Sequence, residues 1–289
     1  MNNMIKTKQY EVLQWASLFL EKHNRESRVA EILLQHHLQV TRSQFHMMMR
    51  DSITDEVIDR YKADILKHAE TGIPVQHLMG YETFYGRKFF VNEHVLVPRP
   101  ETEELVQHVI ELGKWSNIPH PRIADIGTGS GIIAITLALE LPDATIYATD
   151  ISEEALKMAE HNAETLQADV IFRKGDFLKP LIDEEIIPDI IVSNPPYIAK
   201  SEEDSLSETV KNFDPELALF AEEDGLAAYK KIIDQSQELI KSKAAFAFEI
   251  GFEQGKAVSG LIKNVYPSSD VEILQDINKK DRIISAIIK

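Results

Sequence analysis

Two short stretches of this 289-residue chain carry residue types whose spacing could do chemistry. The first is Asn194-Pro195-Pro196-Tyr197, which follows an apolar run from Pro188 to Ser193. Consecutive prolines fix φ and carry no N–H, so such a turn presents carbonyl oxygens as acceptors only. Asn194 adds a side-chain carbonyl, and Tyr197 adds a flat face. That combination suits a planar NH2 group, whose two hydrogens meet two acceptors while a ring stacks beneath. Amide and aniline-type nitrogens are poor nucleophiles because their lone pair is delocalised. Holding both N–H bonds favours a pyramidal nitrogen with its lone pair aimed at an electrophile. The gain comes from positioning and from acceptors matched to developing positive charge. No strong base is needed beforehand, because the proton leaves once the nitrogen is cationic.

The second stretch is Gly127-Thr128-Gly129-Ser130-Gly131, which follows Arg122–Ile126 and precedes an apolar helical pattern. Glycines there let the backbone turn tightly and approach a ligand closely. A dinucleotide fingerprint would want glycine or alanine at position 132, where this chain has isoleucine. Diphosphate binding is therefore disfavoured, and a ligand without a diphosphate, such as S-adenosylmethionine, fits better. A second apolar run ends at Asp150, 23 residues after Gly127. An acid at that strand end can accept hydrogen bonds from two ribose hydroxyls. A third run leads into Gly175-Asp176-Phe177, where Asp176 and Phe177 could bracket an adenine through its amino group and its face.

Strands must present these loops. From residue 121 onward, strands are expected at 122–126, 145–149, 169–173, 188–193, 244–250, 271–276 and 282–288, with helices between the first five and before the sixth. Alternation of this kind means a mostly parallel sheet covered on both faces. Only Asp276 to Lys280 separates the last two strands, too short for a parallel crossover, so that pair must be antiparallel. The expected fold class is α/β: a Rossmann-like, seven-stranded, mostly parallel sheet with an antiparallel C-terminal hairpin, plus a small N-terminal all-α bundle.

Residues 1–80 read as four or five helices. Leu13, Ala16 and Leu20, then Ile32, Leu33 and Leu38, then Val57, Ile58, Tyr61, Ile65 and Leu66 recur at helical spacing. Asn24, Thr41 and Thr54 stand where N-caps would open new segments, and Gly72 and Pro74 close the run. Residues 81–97 favour strands around a turn at Gly86, a β-hairpin linker. Pro98-Arg99-Pro100-Glu101-Thr102 then opens a helical stretch to Gly113, with acidic residues in its first turn. The division read from the sequence is thus 1–80, 81–97 and 98–289. No internal repeat or low-complexity tract is present.

The chain has 31 basic and 47 acidic residues, net −16. Residues 1–80 are charge-balanced, so the whole excess falls on residues 81–289. A strongly acidic domain repels phosphate backbones and steers basic partners towards it. Cysteine is absent, which removes disulfides, thiolate metal sites and a cysteine nucleophile. That suits a reducing, cytoplasmic setting. No apolar run reaches transmembrane length, and the N-terminus reads as an amphipathic helix, not a signal peptide. Six of the ten histidines fall in residues 1–80 without metal-ligand spacing, so no metal is expected.

Gly127–Gly131, Asp150 and Asn194–Tyr197 together resemble class I S-adenosylmethionine-dependent methyltransferases acting on planar nitrogen. More narrowly, PVQHLMGYETFYG, VLVPRPETEELV, ADIGTGSGIIAI, SNPPYI, FDPELAL, EEDGLAAYKKI and FEIGFEQG resemble the release-factor glutamine methyltransferases, the HemK/PrmC family. The resemblance implies N5-methylation of the glutamine in the Gly-Gly-Gln motif of class 1 peptide chain release factors, by direct transfer. S-adenosyl-L-methionine would be the cofactor and S-adenosyl-L-homocysteine the product. Gly127, Thr128, Gly129, Ser130 and Gly131 would wrap the methionine end, Asp150 would hold the ribose, and Phe177 would lie by the adenine, where many relatives have tryptophan. Asn194, which would also contact the cofactor, and the Pro195 carbonyl would grip the glutamine amide, with Pro196 shaping the turn and Tyr197 packed against the amide. Arg99, Pro100, Glu101 and Thr102 would roof the cleft, and Glu249 closes the fifth strand. Residues 1–80 would recognise the protein substrate and residues 98–289 would bind the cofactor. The expectation is a monomer with no stable nucleic-acid or membrane binding. An adenine-N6 nucleic-acid methyltransferase would share the Asn-Pro-Pro-Tyr chemistry, but the charge and the lack of a basic, aromatic-rich segment count against it. A nicotinamide-dependent oxidoreductase is disfavoured by Ile132, and an inert binding module by the intact glycine loop.

Overall fold

The computed structural model describes residues 7–115 and 118–289. It divides into two units, Met1–Gly80 with Ser207–Phe213, and Tyr81–Leu206 with Asp214–Lys289.

The first unit holds helices Gln9–Lys22, Arg28–Leu38, Arg42–Met47, Asp55–Thr71 and Val75–Met79. Ala16, Leu20, Leu33, Leu34, Phe45, Tyr61 and Ile65 are fully enclosed in its core. Leu66 is not: it is 41% exposed, because the buried face of its helix runs through Ile58, Tyr61 and Ile65, and Leu66 lies about 100° round from Ile65. Thr41 caps as expected, accepting from the Gln44 N–H at 3.3 Å. Asn24 does not cap. Its φ of 55° puts it in the left-handed turn after the first helix, a conformation asparagine tolerates, and the next helix starts only at Arg28. Gly72 ends the fourth helix at φ 73°, but Pro74 opens a fifth rather than closing the run. Ser207–Phe213 joins this unit through Arg25–Glu208 at 3.1 Å and a Thr209 hydroxyl bond to the Gly72 carbonyl.

The second unit begins with the hairpin β1 (Tyr81–Phe84) and β2 (Arg87–Phe90), turned by Tyr85 and Gly86 at positive φ. Its main sheet contains β3 (Arg122–Ile126), β4 (Thr145–Asp150), β5 (Ile171–Lys174) and β6 (Ile190–Ser193). A two-residue parallel pair follows, β7 (Ile198–Ala199) with β8 (Phe220–Ala221). The sheet is completed by β9 (Ala244–Glu249), β10 (Asp270–Gln275) and β11 (Asp281–Ile288), in the order β10-β11-β9-β6-β3-β4-β5. β11 pairs antiparallel with both β10 and β9, and the other pairs are parallel. All seven expected strands are present, with ends shifted by up to two residues, in a Rossmann-like α/β sheet.

Strand residues alternate between two cores. Ile123, Ile190, Val192, Ala245 and Ala247 face helices Thr102–Trp115 and Ile132–Glu140. Ala124, Ile126, Ile191, Phe246 and Phe248 face helices Ala227–Leu239 and Gly255–Val265. β6 and β9 are buried along their whole length, which is why they read as continuous apolar runs rather than alternating ones. The strand order reverses between β3 and β6, and a crevice opens beyond the carboxyl ends of strands at such a switch point. The loops that leave those two strands are Gly127–Gly131 and Asn194–Tyr197.

Candidate active site

The crevice is a cavity of about 390 Å³ walled by Gly127, Thr128, Gly129, Ser130, Asp150, Asp176, Phe177, Asn194 and Pro196, with Arg99 and Thr102 also on its wall. Nine of the sequence-read site residues therefore meet at one surface. Gly131, Pro195 and Tyr197 do not line it. Gly131 sits behind the loop, where an added Cβ would come 2.7 Å from Ile135 Cδ1. Pro195 is buried, and Tyr197 packs into the core around Phe248.

The glycine loop is tied down from below. The N–H groups of Gly127 and Thr128 both donate to the Thr149 carbonyl at 2.9 Å. Asp125, fully buried, accepts from the Thr128 hydroxyl at 2.6 Å and the Ala134 N–H at 3.1 Å, and burial pushes its carboxyl up to about 7. Asn162 donates to the Ser130 carbonyl at 2.9 Å and exchanges two hydrogen bonds with Phe90, which ties the hairpin to the loop. Gly127 and Gly129 have φ of 74° and 56°, and nothing lies within 4 Å of where a Cβ would stand. Their backbone is open space for a ligand.

Asp150 ends β4 with its carboxylate gripped by two N–H groups: Gly129 to Oδ2 at 2.8 Å and Ser152 to Oδ1 at 2.8 Å. Burial raises its pKa, and these backbone bonds oppose the rise. A carboxylate has about four lone-pair sites, so room remains for a further donor. Ser152 also caps the following helix, accepting from the Ala155 N–H at 3.2 Å. At the end of β5, Phe177 adopts φ 51°, and its carbonyl is held by the Thr149 hydroxyl at 2.8 Å. Asp176 forms an ion pair with Lys231.

The Asn-Pro-Pro-Tyr turn is braced by Gln254 and Gly225, which no local sequence pattern connects to it. Gln254 Nε2 donates to the Tyr197 carbonyl at 2.9 Å. Gly225, at φ 81°, lies so close that an added Cβ would overlap the same oxygen. Glu223 and Asp224 before it are also left-handed, at φ 53° and 55°. Asn194 Nδ2 donates to Thr102 Oγ1 at 3.3 Å, and that hydroxyl donates to Glu249 Oε2 at 2.7 Å. Arg99 pairs with the buried carboxylate of Asp214 at 2.8 Å. Matching stretches such as EEDGL and FEIGFEQG contain Gly225, Glu249 and Gln254, but no local pattern ties any of them to residue 194 or 197.

Two family profiles match the chain, "PrmC N-terminal domain" over residues 11–80 and "Methyltransferase small domain" over residues 102–213. A release factor glutamine methyltransferase of Bacillus anthracis is 45% identical over 97% of this chain and 99% of its own. That of Bacillus subtilis is 44% identical over 96% and 97%. Among solved structures, the N-terminal domain of human METTL16 in complex with SAH shares the fold, with a TM-score of 0.50 and 20% identity over 83% of this chain and 85% of that one. With identity at this level along nearly the whole of both chains, and the glycine loop and Asn-Pro-Pro-Tyr turn meeting at one cavity, the chain belongs to the release factor glutamine methyltransferase family.

Proposed function

We propose that this enzyme methylates the side-chain amide nitrogen of the glutamine in the Gly-Gly-Gln motif of class 1 peptide chain release factors, using S-adenosyl-L-methionine by direct transfer. The observation that carries this is the meeting of Asn194 and Pro196 from the turn with an open glycine loop and a fixed carboxylate in one cavity. The relatives named above act, by their names, on release factor glutamine.

The residues present fit the cofactor. The cavity is of small-ligand size, the backbone at Gly127 and Gly129 is bare, and the Asp150 carboxylate borders the cavity with acceptor capacity left for a ribose hydroxyl. When bound, S-adenosylmethionine supplies an electrophilic methyl group. Phe177 and Asp176 serve the adenine end, and Thr128, Ser130 and Gly131 shape the loop around the methionine end. Asn194 Oδ1 accepts one hydrogen of the glutamine NH2, since Nδ2 is already engaged by Thr102. The Pro195 carbonyl accepts the other, and Pro196 and Tyr197 hold the turn. These acceptors stabilise positive charge as it grows on nitrogen, and the proton is lost afterwards. Residues 1–80 serve substrate recognition, residues 98–289 serve cofactor binding and chemistry, and the 81–97 hairpin packs with the latter. No described helix is long and apolar enough to cross a membrane. The reaction belongs in the cytoplasm, on a protein partner, with the enzyme acting as a monomer and holding no nucleic acid stably.

The test is incubation with methyl-labelled cofactor, a purified class 1 release factor and, in a parallel arm, an adenine-containing oligonucleotide. Peptide mapping should find the label on the Gly-Gly-Gln glutamine. Label on the oligonucleotide alone would overturn the assignment in favour of adenine-N6 transfer.

Gly225→Ala provides a separate check on the turn. The new methyl group would meet the Tyr197 carbonyl and take a left-handed φ at a cost of about 1–2 kcal/mol. Displacing the turn by about 1 Å should lower turnover about 10²-fold. Turnover within about threefold of the parent would show that the loop does not brace the turn.

A further inference from the structure

We infer that Thr102 and Glu249 are positioning residues that fix which end of the Asn194 carboxamide faces the substrate. The inference deepens the proposed methyl transfer to an amide nitrogen and rests on it. An asparagine carboxamide has two ends of nearly equal size, one an acceptor and one a double donor. Only the acceptor end can receive a substrate NH2. With the NH2 end outward, Asn194 would face donors with donors.

The hydroxyl of Thr102 decides between them. It has one hydrogen, and at 2.7 Å that hydrogen goes to Glu249 Oε2. The Thr102 oxygen then has only lone pairs left for Asn194, and it receives Nδ2 at 3.3 Å. Asn194 Oδ1 is left over for the cavity, whose wall includes both Asn194 and Thr102. Thr102 and Glu249 are 1% and 2% exposed, so water does not compete for these bonds.

The direction of the chain depends on the charge of Glu249. A protonated Glu249 donates to Thr102 Oγ1, and the threonine hydrogen swings to Asn194, which must then offer its oxygen inward and its NH2 to the cavity. One proton from solvent is taken up on Glu249, and two hydrogen bonds reverse. Burial pushes the Glu249 carboxyl up to about 7, against the Thr102 hydrogen bond that lowers it. Arg282 on β11 and Arg99 from the loop before residue 102 also favour the charged form, and Glu101 from that loop opposes it. Tyr197 and Tyr229 face the same carboxylate, the latter donating its hydroxyl to the Glu249 main-chain carbonyl at 2.7 Å. Glu249 therefore changes charge near neutrality, and the productive orientation belongs to the higher-pH side.

The experiment is steady-state methylation of a purified release factor by the full-length enzyme, at saturating cofactor, from about pH 6 to about pH 8.5. The parent should lose kcat below about pH 7 with a one-proton acid limb. Thr102→Ser keeps the hydroxyl and should keep both rate and limb. Thr102→Val removes it and should lower kcat about tenfold at the high-pH plateau, erase the limb, and leave the cofactor KM within about twofold. Thermal melting reports whether each variant folds. Should Thr102→Val not fold, Glu249→Gln carries the test, with a kcat independent of pH over the same range expected. Parental kcat in Thr102→Val, or an unchanged acid limb in either substitution, would overturn the relay. A parent enzyme that methylates no release factor would instead remove the underlying activity, which is a different failure.

Discussion

Replacing Asn194 with alanine is expected to slow methyl transfer about 10²–10³-fold, with cofactor affinity within about twofold of the parent. Asn194 supplies the side-chain acceptor of the turn, and its Nδ2 is already committed to Thr102 at 3.3 Å. Alanine removes an interaction that strengthens as the substrate nitrogen becomes positive, so the loss belongs in kcat. The cofactor's anchors, Asp150 and the Gly127–Ser130 backbone, are untouched. Single-turnover rates with calorimetric titration of cofactor separate the two effects. Parental turnover in this variant would mean that the turn does not hold the reacting amide.

Asp150→Ala should do the reverse, weakening cofactor binding by about 10²-fold or more with a smaller effect on kcat at saturation. Each hydrogen bond to a charged group contributes about 1.5–3 kcal/mol, and two ribose hydroxyls are at stake. The substitution also releases the Gly129 and Ser152 N–H groups that hold the carboxylate at 2.8 Å. Asp150→Asn, which keeps one acceptor oxygen, should fall between. An affinity unchanged in Asp150→Ala would exclude a ribose contact at this residue.

How much of this was legible in the sequence follows from where each signal lies along the chain. The seven strands were readable because each is a local run of β-branched, alanine and aromatic residues bounded by turns. Glycine loop, Asp150 and Asn194 were readable because each closes such a run, and a parallel sheet brings carboxyl ends to one edge. The pair β7–β8 was missed because two residues carry no period. Asn24 misled because asparagine serves both N-caps and left-handed turns. The Asn194–Thr102–Glu249 chain joins residues 92 and 147 positions apart, so no window of sequence contains it. Gly225 was visible only as one glycine among the matched stretches. Its purpose, approach to the Tyr197 carbonyl, exists only once β7 and the following loops are folded. The membership of Ser207–Phe213 in the helical unit is likewise a property of chain path, not of composition.

The central claim is that Asn194 and Pro195 offer oxygens to the two hydrogens of a glutamine amide beside the methyl donor. A crystal structure of the enzyme with S-adenosylhomocysteine and a Gly-Gly-Gln peptide measures this directly. The glutamine Nε2 should lie about 3 Å from both Asn194 Oδ1 and the Pro195 carbonyl oxygen, with the cofactor sulfur on the side of its lone pair. A glutamine amide bound elsewhere in the cavity, or an Asn194 Oδ1 turned away from it, would contradict the account.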